Sequence, residues 1–266
     1  MAASSNHKNS FHARSNSLPS RENPIITQLD EHLIRLRASE DASTSSSFSG
    51  KLSRLQDLHD CVNKVLLLPL TQQAIAQENN EKWVDELLDG SLQVLDLCNT
   101  AKDSLLQTKE CMHELQSILR RRGCGEIGLT NEVKKYLASR KVVRRAIHKA
   151  LKVMQNKCTF ATFNGDHETT TMFNMESFLF FISGPKTKSV GWSLVSKLVH
   201  HKTVASADQT ARRLVEHKTS KSDTIKVVQS QLESLELCIQ DLEEGLECLF
   251  RHLIKTRVSL LNILNH

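Results

Sequence analysis

The sequence predicts an all-α protein, an elongated bundle of four or more helices of which two are about 40 residues long. Three observations support this fold class. Gly and Pro number only 9 and 4 in 266 residues, too few for the frequent turns of a sheet-rich fold. Two long segments, about 80–121 and 225–263, contain no proline. Their apolar residues recur at spacings of three and four, the period of a helix face.

The N-terminal part begins with a tail. Residues 1–23 are rich in Ser, Asn and His and poor in large apolar groups, so we expect a disordered tail outside a single helical domain at 24–266. Pro24 suits the first turn of a short helix, and Asn23 can cap it. The cluster of serines at 39–50 predicts a linker.

The middle of the chain predicts three further helices. The first covers about 51–68, where Pro69 interrupts it, and a short helical piece is expected to follow at 71–77. The second covers 80–121, with a slip in its period and a weak point at Gly90, which costs roughly 1 kcal/mol relative to Ala. Thr130 can cap the third, at about 130–156. The stripe of the second helix is Leu88, Ser91, Leu95, Cys98, Ala101, Leu105, Thr108, Met112, Leu115 and Leu119.

The stretch 157–187 has no clear period, and it predicts an irregular connector with one apolar anchor, Phe178–Ile182. Shorter helices are predicted at 192–199 and 203–218. The last helix is the clearest, because eleven of its twelve stripe positions are apolar. A second stripe appears late in that helix, so it should touch two or more neighbours, as in a bundle. The main stripe is Ile225, Val228, Leu232, Leu235, Ile239, Leu242, Leu246, Leu249, Leu253, Thr256, Leu260 and Ile263.

Composition bounds the environment of the protein. No apolar run approaches the ~18 residues that span a bilayer, and the N-terminus lacks the apolar core of a signal peptide. We therefore expect a soluble, intracellular and most simply cytoplasmic protein. The seven cysteines are odd in number and form no CxxC pair, which indicates reduced thiols rather than a disulfide framework.

Four blocks of sequence carry a family resemblance: RSNSLPS at 14–20, WVDELLDGSLQVLDLC at 83–98, GWSLVSKLVHHK at 191–202, and LESLELCIQDLEEGLECLFRHLIKTRVSLLNILNH at 232–266. In this order they resemble a plant-specific family of unknown function related to the BYPASS-type proteins. The resemblance implies an all-helical protein linked to root and shoot development. That family has no assigned chemical activity, so the resemblance implies no catalytic residues.

The sharpest local motif lies in the tail. Arg14 stands three residues before Ser17, the offset that many basic-directed kinases prefer, and Ser15 lies between them. With Ser17 phosphorylated, the Leu18-Pro19 that follows fits the pattern bound by 14-3-3 proteins. A competing interpretation of the same tail, which is Ser-rich and has no acid before Glu22, is a chloroplast transit peptide.

The helix at 130–157 is strongly basic, with nine Lys or Arg against one acid, Glu132. Three partners fit this charge. Anionic lipid is one, and nucleic acid is a disfavoured second because Tyr136 is the only aromatic for stacking. The preferred partner is an acidic helix, either the acidic side of this chain's last helix, through Glu233, Glu236, Glu243, Glu244 and Glu247, or a helix of a partner protein. The candidate basic face consists of Lys134, Lys135, Arg140, Lys141, Arg144, Arg145, Lys149 and Lys152.

Enzyme signals are weak throughout. No GxSxG, GxGxxG, phosphate loop or HExxH occurs, and no His and Cys stand at metal-ligand spacing. We expect no catalytic residues, no cofactor and no metal. The sequence thus predicts a non-enzymatic helical interaction protein. The alternatives are a peripheral membrane protein that uses the basic helix and the Phe178–Ile182 patch, and an organelle-imported protein.

Overall fold

The computed structural model describes residues 23–38, 45–77, 81–121, 126–157, 167–184 and 221–265. Every element in these ranges is a helix, which confirms the all-α class. In chain order they are α1 Pro24–Ala38, α2 Ser45–Leu66, α3 Pro69–Gln77, α4 Glu81–Arg120, α5 Glu126–Lys157, α6 His167–Ser183 and α7 Lys221–Leu264.

Two long antiparallel helices form the axis of the bundle. They are α4 with 40 residues and α7 with 44, as the periodicity predicts. At 1.5 Å per residue each is ~60 Å or longer, so the bundle is elongated. Within the described part of α4, the predicted stripe is buried from Ser91 to Leu119. In α7 every stripe position from Leu232 to Ile263 is buried, including Thr256.

Two further helices close the core. α2 packs along α7 and α6 packs along α4, while α2 and α6 also meet each other. α1 covers α2 and α6, α3 lies on the end of α7, and α5 packs on the outside of α4 and α6. The last helix therefore touches three neighbours, α2, α3 and α4, as its second stripe predicts.

The local signals at the first helices are confirmed. Asn23 caps α1, because its side-chain Oδ1 accepts a hydrogen bond from the Ile25 amide at 3.1 Å. The next helix, α2, ends at Leu66, and Pro69 is the first residue of α3. Among the apolar side chains of α1, Leu33 and Leu36 are buried, whereas Ile26 is exposed.

The Ser-rich stretch 39–50 is not all linker. α2 begins at Ser45, and Phe48 is buried against α6, its ring centroid 5.8 Å from that of Phe178 and 4.6 Å from that of Phe181. The gain from burying this aromatic ring outweighs the low helix propensity of the serines around it.

The predicted irregular connector at 157–187 is also wrong over most of its length, because α6 occupies His167–Ser183. This helix lies between four others, so it buries Glu168, Thr170, Thr171 and Asn174 as well as its apolar residues. A helix buried on several sides has no single apolar face, which is why no stripe marks it in the sequence. Phe178–Ile182 is part of the core here, with Phe178, Leu179 and Ile182 at most 1% exposed.

Several predictions lie outside the described residues. They are the tail motif and the helices at 192–199 and 203–218. None of the helices in the described ranges combines the length and the apolar character that crossing a bilayer requires.

Candidate interaction surface

The exposed side of α5 carries a line of cations. Residues spaced by seven, four and seven fall on one side of a helix, within about 40° at 100° per residue. Their side chains are exposed, and no carboxylate among the described residues lies within ion-pair distance of them. We call this set the basic row: Lys134, Lys141, Arg145 and Lys152. Lys149 stands next to it, on the side that faces α4.

Two residues of the predicted basic face are structural instead. Arg140 is 1% exposed, and its guanidinium donates to Thr108 Oγ1 at 3.0 Å and to the Ile182 carbonyl at 2.7 Å. Half-buried Arg144 donates from Nε to the Ser183 carbonyl at 2.6 Å. Both arginines thus bind carbonyls at the C-terminal end of α6, where helix carbonyls lack amide partners.

That end of α6 is defined by a glycine. Gly184 has a positive φ of 73°, and its amide donates to the Phe180 carbonyl at 3.2 Å.

The remaining predicted cation, exposed Lys135, pairs with Glu132 of its own helix at 2.6 Å. The predicted basic face is therefore reduced to the basic row and Lys149.

The expected partner of α5, the acidic side of α7, is bound elsewhere. In the described ranges α5 and α7 do not pack against each other, because α4 lies between them. The expected pairing between these two helices is therefore wrong. Four of the five expected acids pair with α4 in antiparallel order: Lys102–Glu247 at 2.5 Å, Lys109–Glu243 at 2.5 Å, His113–Glu236 at 2.9 Å and Arg120–Glu233 at 3.9 Å.

Two of these contacts favour the charged form of an α7 acid. A hydrogen bond from Lys102 lowers the pKa of Glu247. Hydrogen bonds from Gln116 and then His113 lower the pKa of Glu236. The acids of α7 are thus used to align α7 with α4, and they leave the basic row without an internal counter-charge.

A second charged line runs along the exposed side of α4, and sequence reasoning missed it. It consists of Asp96, Asp103, Glu110 and Glu114, which we call the acidic row. All four side chains are exposed and make no ion pair within the described part of the chain. The spacing of seven between Asp96, Asp103 and Glu110 is the signal of this row in the sequence.

Part of the acidic row lines a groove between α4 and α5, and part of the basic row lines a depression beside it. A cavity of about 400 Å³ lies between α4 and α5 and is lined by charged, polar and apolar side chains. Among them are Asp96 and Asp103 from α4 and Lys149, Ala150 and Val153 from α5. Beside it, a more open depression of about 510 Å³ is lined by cationic side chains and one histidine: Lys141, Arg144, Arg145, His148, Lys149 and Lys152.

A buried histidine marks a different place in the bundle. His59 of α2 is 2% exposed, and its Nε2 lies 2.9 Å from Thr171 Oγ1 of α6. Burial lowers its pKa well below 6.5, and the nearby His167 and His252 lower it further. Across the described residues, no group of three His, Cys, Asp or Glu is placed to hold a metal ion. This histidine is therefore a packed core residue, held neutral by its surroundings.

The described cysteines offer no activated thiol in the core. Burial raises the pKa of Cys98 to about 12, which keeps this thiol protonated. Burial also raises the pKa of Cys61, whose Sγ donates to the Ile25 carbonyl at 3.4 Å.

Fold and surface together define an all-α bundle protein with two long antiparallel helices and an unpaired charged surface on its α4–α5 side. The chain belongs to the family described as Protein BPS1, whose family model matches residues 51–263. This agrees with the BYPASS-type resemblance of the sequence blocks. No curated protein and no solved structure matches the chain.

Proposed function

We propose that this protein is a non-enzymatic interaction protein of plant root and shoot development, and that the basic row of α5 binds an acidic surface of a partner protein. The observation that carries the proposal is that the basic row is exposed and unpaired although the chain has a strongly acidic helix. The acidic helix that would be the internal partner of the basic row, α7, forms its ion pairs with α4 instead. The developmental role rests on the family resemblance alone.

A partner protein explains the surface better than a membrane does. Cations near an anionic bilayer contribute about 1 kcal/mol each, and stable anchoring needs a second, apolar signal. The patch that could supply this apolar signal is Phe178–Ile182, but its Phe178, Leu179 and Ile182 side chains are buried in the core. What remains on α5 is a charged row with two half-exposed valines, Val142 and Val153, beside it.

Nucleic acid is a weaker occupant still. Single strands bind to proteins through aromatic side chains on which the bases stack. The one aromatic residue of α5, Tyr136, is 1% exposed and faces the core. A protein surface that presents carboxylates at helical spacing requires no stacking.

Affinity purification from root and shoot tissue tests the proposal. The variant K141E/R145E/K152E reverses three charges of the basic row, and the matched control R54E/R121E/K255E reverses three exposed cations on α2, α7 and the end of α4. We expect the α5 variant to lose the proteins that the wild type and the control retain. Recovery of the same proteins by all three chains would refute the proposal.

Liposome flotation tests the membrane alternative. Vesicles of neutral lipid and vesicles containing phosphatidylserine are compared with the same three chains. If the protein proposal is right, the wild type floats with neither. Flotation only with the anionic vesicles, abolished in K141E/R145E/K152E, would instead support the second candidate.

The tail motif adds a proposed second contact. Phosphorylated Ser17, with Arg14 before it and Pro19 after it, is proposed to bind 14-3-3 proteins. We expect phosphatase treatment and Ser17→Ala to abolish their capture, while Ser15→Ala retains it. Equal capture before and after phosphatase treatment would remove this contact from the proposal.

A further inference from the structure

We infer that the acidic surface that meets the basic row is the acidic row of a second copy of this chain, so that the protein forms a twofold dimer through its α4–α5 side. This inference rests on the proposed function, since it names the occupant of the same surface. The supporting observation is that charges of opposite sign stand at matching levels along α4 and α5, yet form no ion pair with each other among the described residues of one chain.

One contact sets the approximate register of α5 against α4. Arg140 Nη1 donates to Thr108 Oγ1 at 3.0 Å, so these two residues stand within about one helical turn of each other along the antiparallel pair. Counting residues outward from this contact places Asp103 at the level of Arg145 along the helix axis, and Asp96 at the level of Lys152. In the other direction Glu114 stands at the level of Lys134. Glu110 is three residues from the level of Lys141, about 4.5 Å along the axis.

Within one chain these charges do not meet. The acidic row lies about half a turn from the buried Leu105 and Met112 of α4, and the basic row about half a turn from the buried Val143 and Ile147 of α5. Both rows therefore point away from the bundle. No ion pair joins them among the described residues.

A twofold axis parallel to the two helices joins them between copies. Rotation about an axis leaves every residue at the same position along that axis. The α5 of one copy is then placed over the α4 of the other, and each carboxylate stands within about one helical turn of its cation along the axis. The long Lys and Arg side chains extend across the edge of the contact, as charges at the e and g positions of coiled coils do.

The surface has the size and composition for a dimer. From Leu92 to Glu114 the pair of helices spans ~33 Å and is ~20 Å wide, which would bury ~1,300 Å² in total, at the lower end of stable interfaces. The groove between the helices would be covered along Ala146, Ala150 and Val153. Leu106 and Val142, 51% and 49% exposed, stand at the same level and add apolar area.

The test is a charge swap on the full chain, measured by size-exclusion chromatography with light scattering. We expect the wild type to have the mass of two chains at low salt and to shift toward one chain as salt screens the pairs. K141E/R145E/K152E and D96K/D103K/E110K should each lose the dimer, and their equimolar mixture should regain it. The control R54E/R121E/K255E should remain dimeric.

The outcomes separate this inference from the proposed function. A monomeric wild type, or a dimer that survives in either variant alone, overturns the inference. In that case tissue proteins lost by K141E/R145E/K152E and kept by D96K/D103K/E110K would still support an acidic partner other than a second copy. Circular dichroism of each variant shows whether its helices are intact, and the restored mixture excludes misfolding as the cause of dissociation.

Discussion

Arg140 of α5 donates a hydrogen bond to Thr108 of α4 at 3.0 Å. This contact lies in the core, where the Arg140 side chain is almost wholly shielded from water. The same guanidinium binds the Ile182 carbonyl at 2.7 Å, so one side chain ties α5 to both α4 and α6. A buried cation is tolerated only where its donors are satisfied. This residue therefore joins three helices rather than serving the surface.

Replacing Arg140 should unfold the bundle more easily. Arg140→Met keeps much of the volume but leaves the Ile182 carbonyl without its charged donor, and we expect a loss of about 2–4 kcal/mol in the free energy of unfolding. Urea denaturation followed by circular dichroism measures it. Arg145→Met, on the exposed row, should stay within about 0.5 kcal/mol of wild type. Equal losses at both positions would contradict the structural role.

The α4–α7 ion pairs should differ in strength along the bundle. Lys109 and Glu243 are the least exposed pair, at 28% and 25%, and their charged groups meet at 2.5 Å. A double-mutant cycle with Lys109→Ala and Glu243→Ala should give a coupling of about 0.5–1 kcal/mol that falls with added salt. Arg120 and Glu233, more exposed and 3.9 Å apart, should give a coupling near zero. The reverse order would show that exposure does not govern these pairs.

His59 should make the folded protein less stable as the pH is lowered. Its pKa is lowered in the folded state by burial and by His167 and His252, so the unfolded chain binds the proton more readily. The stabilisation of the neutral form is complete above the unfolded pKa of about 6.5 and is lost as pH falls below it. The melting temperature of His59→Gln should therefore depend less on pH between about 5 and about 8. Asp60 and Lys64, which pair nearby at 2.7 Å, are unchanged in this variant.

Two helical glycines should respond oppositely to alanine. A Cβ on Gly50 of α2 meets nothing within 4 Å, so Gly50→Ala should stabilise the protein by up to about 1 kcal/mol through helix propensity. A Cβ on Gly90 of α4 would lie 2.5 Å from Glu168 Oε2, a side chain that is 7% exposed. Gly90→Ala should therefore lower the melting temperature. A gain at both positions would mean that Glu168 moves aside without cost.

The helices themselves could be predicted because their signals are local. Pro24, Pro69 and the stripes of α4 and α7 act within a few residues of their own positions, and the structure confirms each of them. α6 could not be predicted in this way. Its residues include buried threonines and a buried glutamate, and their burial depends on helices that are distant in sequence.

The candidate surface shows the same division at the level of single residues. Arg140 and Lys141 are neighbours of the same chemical type, yet one is buried and the other exposed, because one residue turns a helix by about 100°. Composition predicts a basic helix, but only the packing of α4 and α6 against α5 decides which cations remain free. The acidic row was visible as a spacing of seven, but its meaning depends on the neighbouring helix.

The sequence by itself determined that this chain is a set of long amphipathic helices, since a helix face is written in residues three and four apart. Only the tertiary structure decided which charges meet. Glu243 binds Lys109 from 134 positions away, and α4 thereby separates α7 from the cations of α5. Electrostatic pairing depends on distance in space, and the order of helices in the bundle sets that distance.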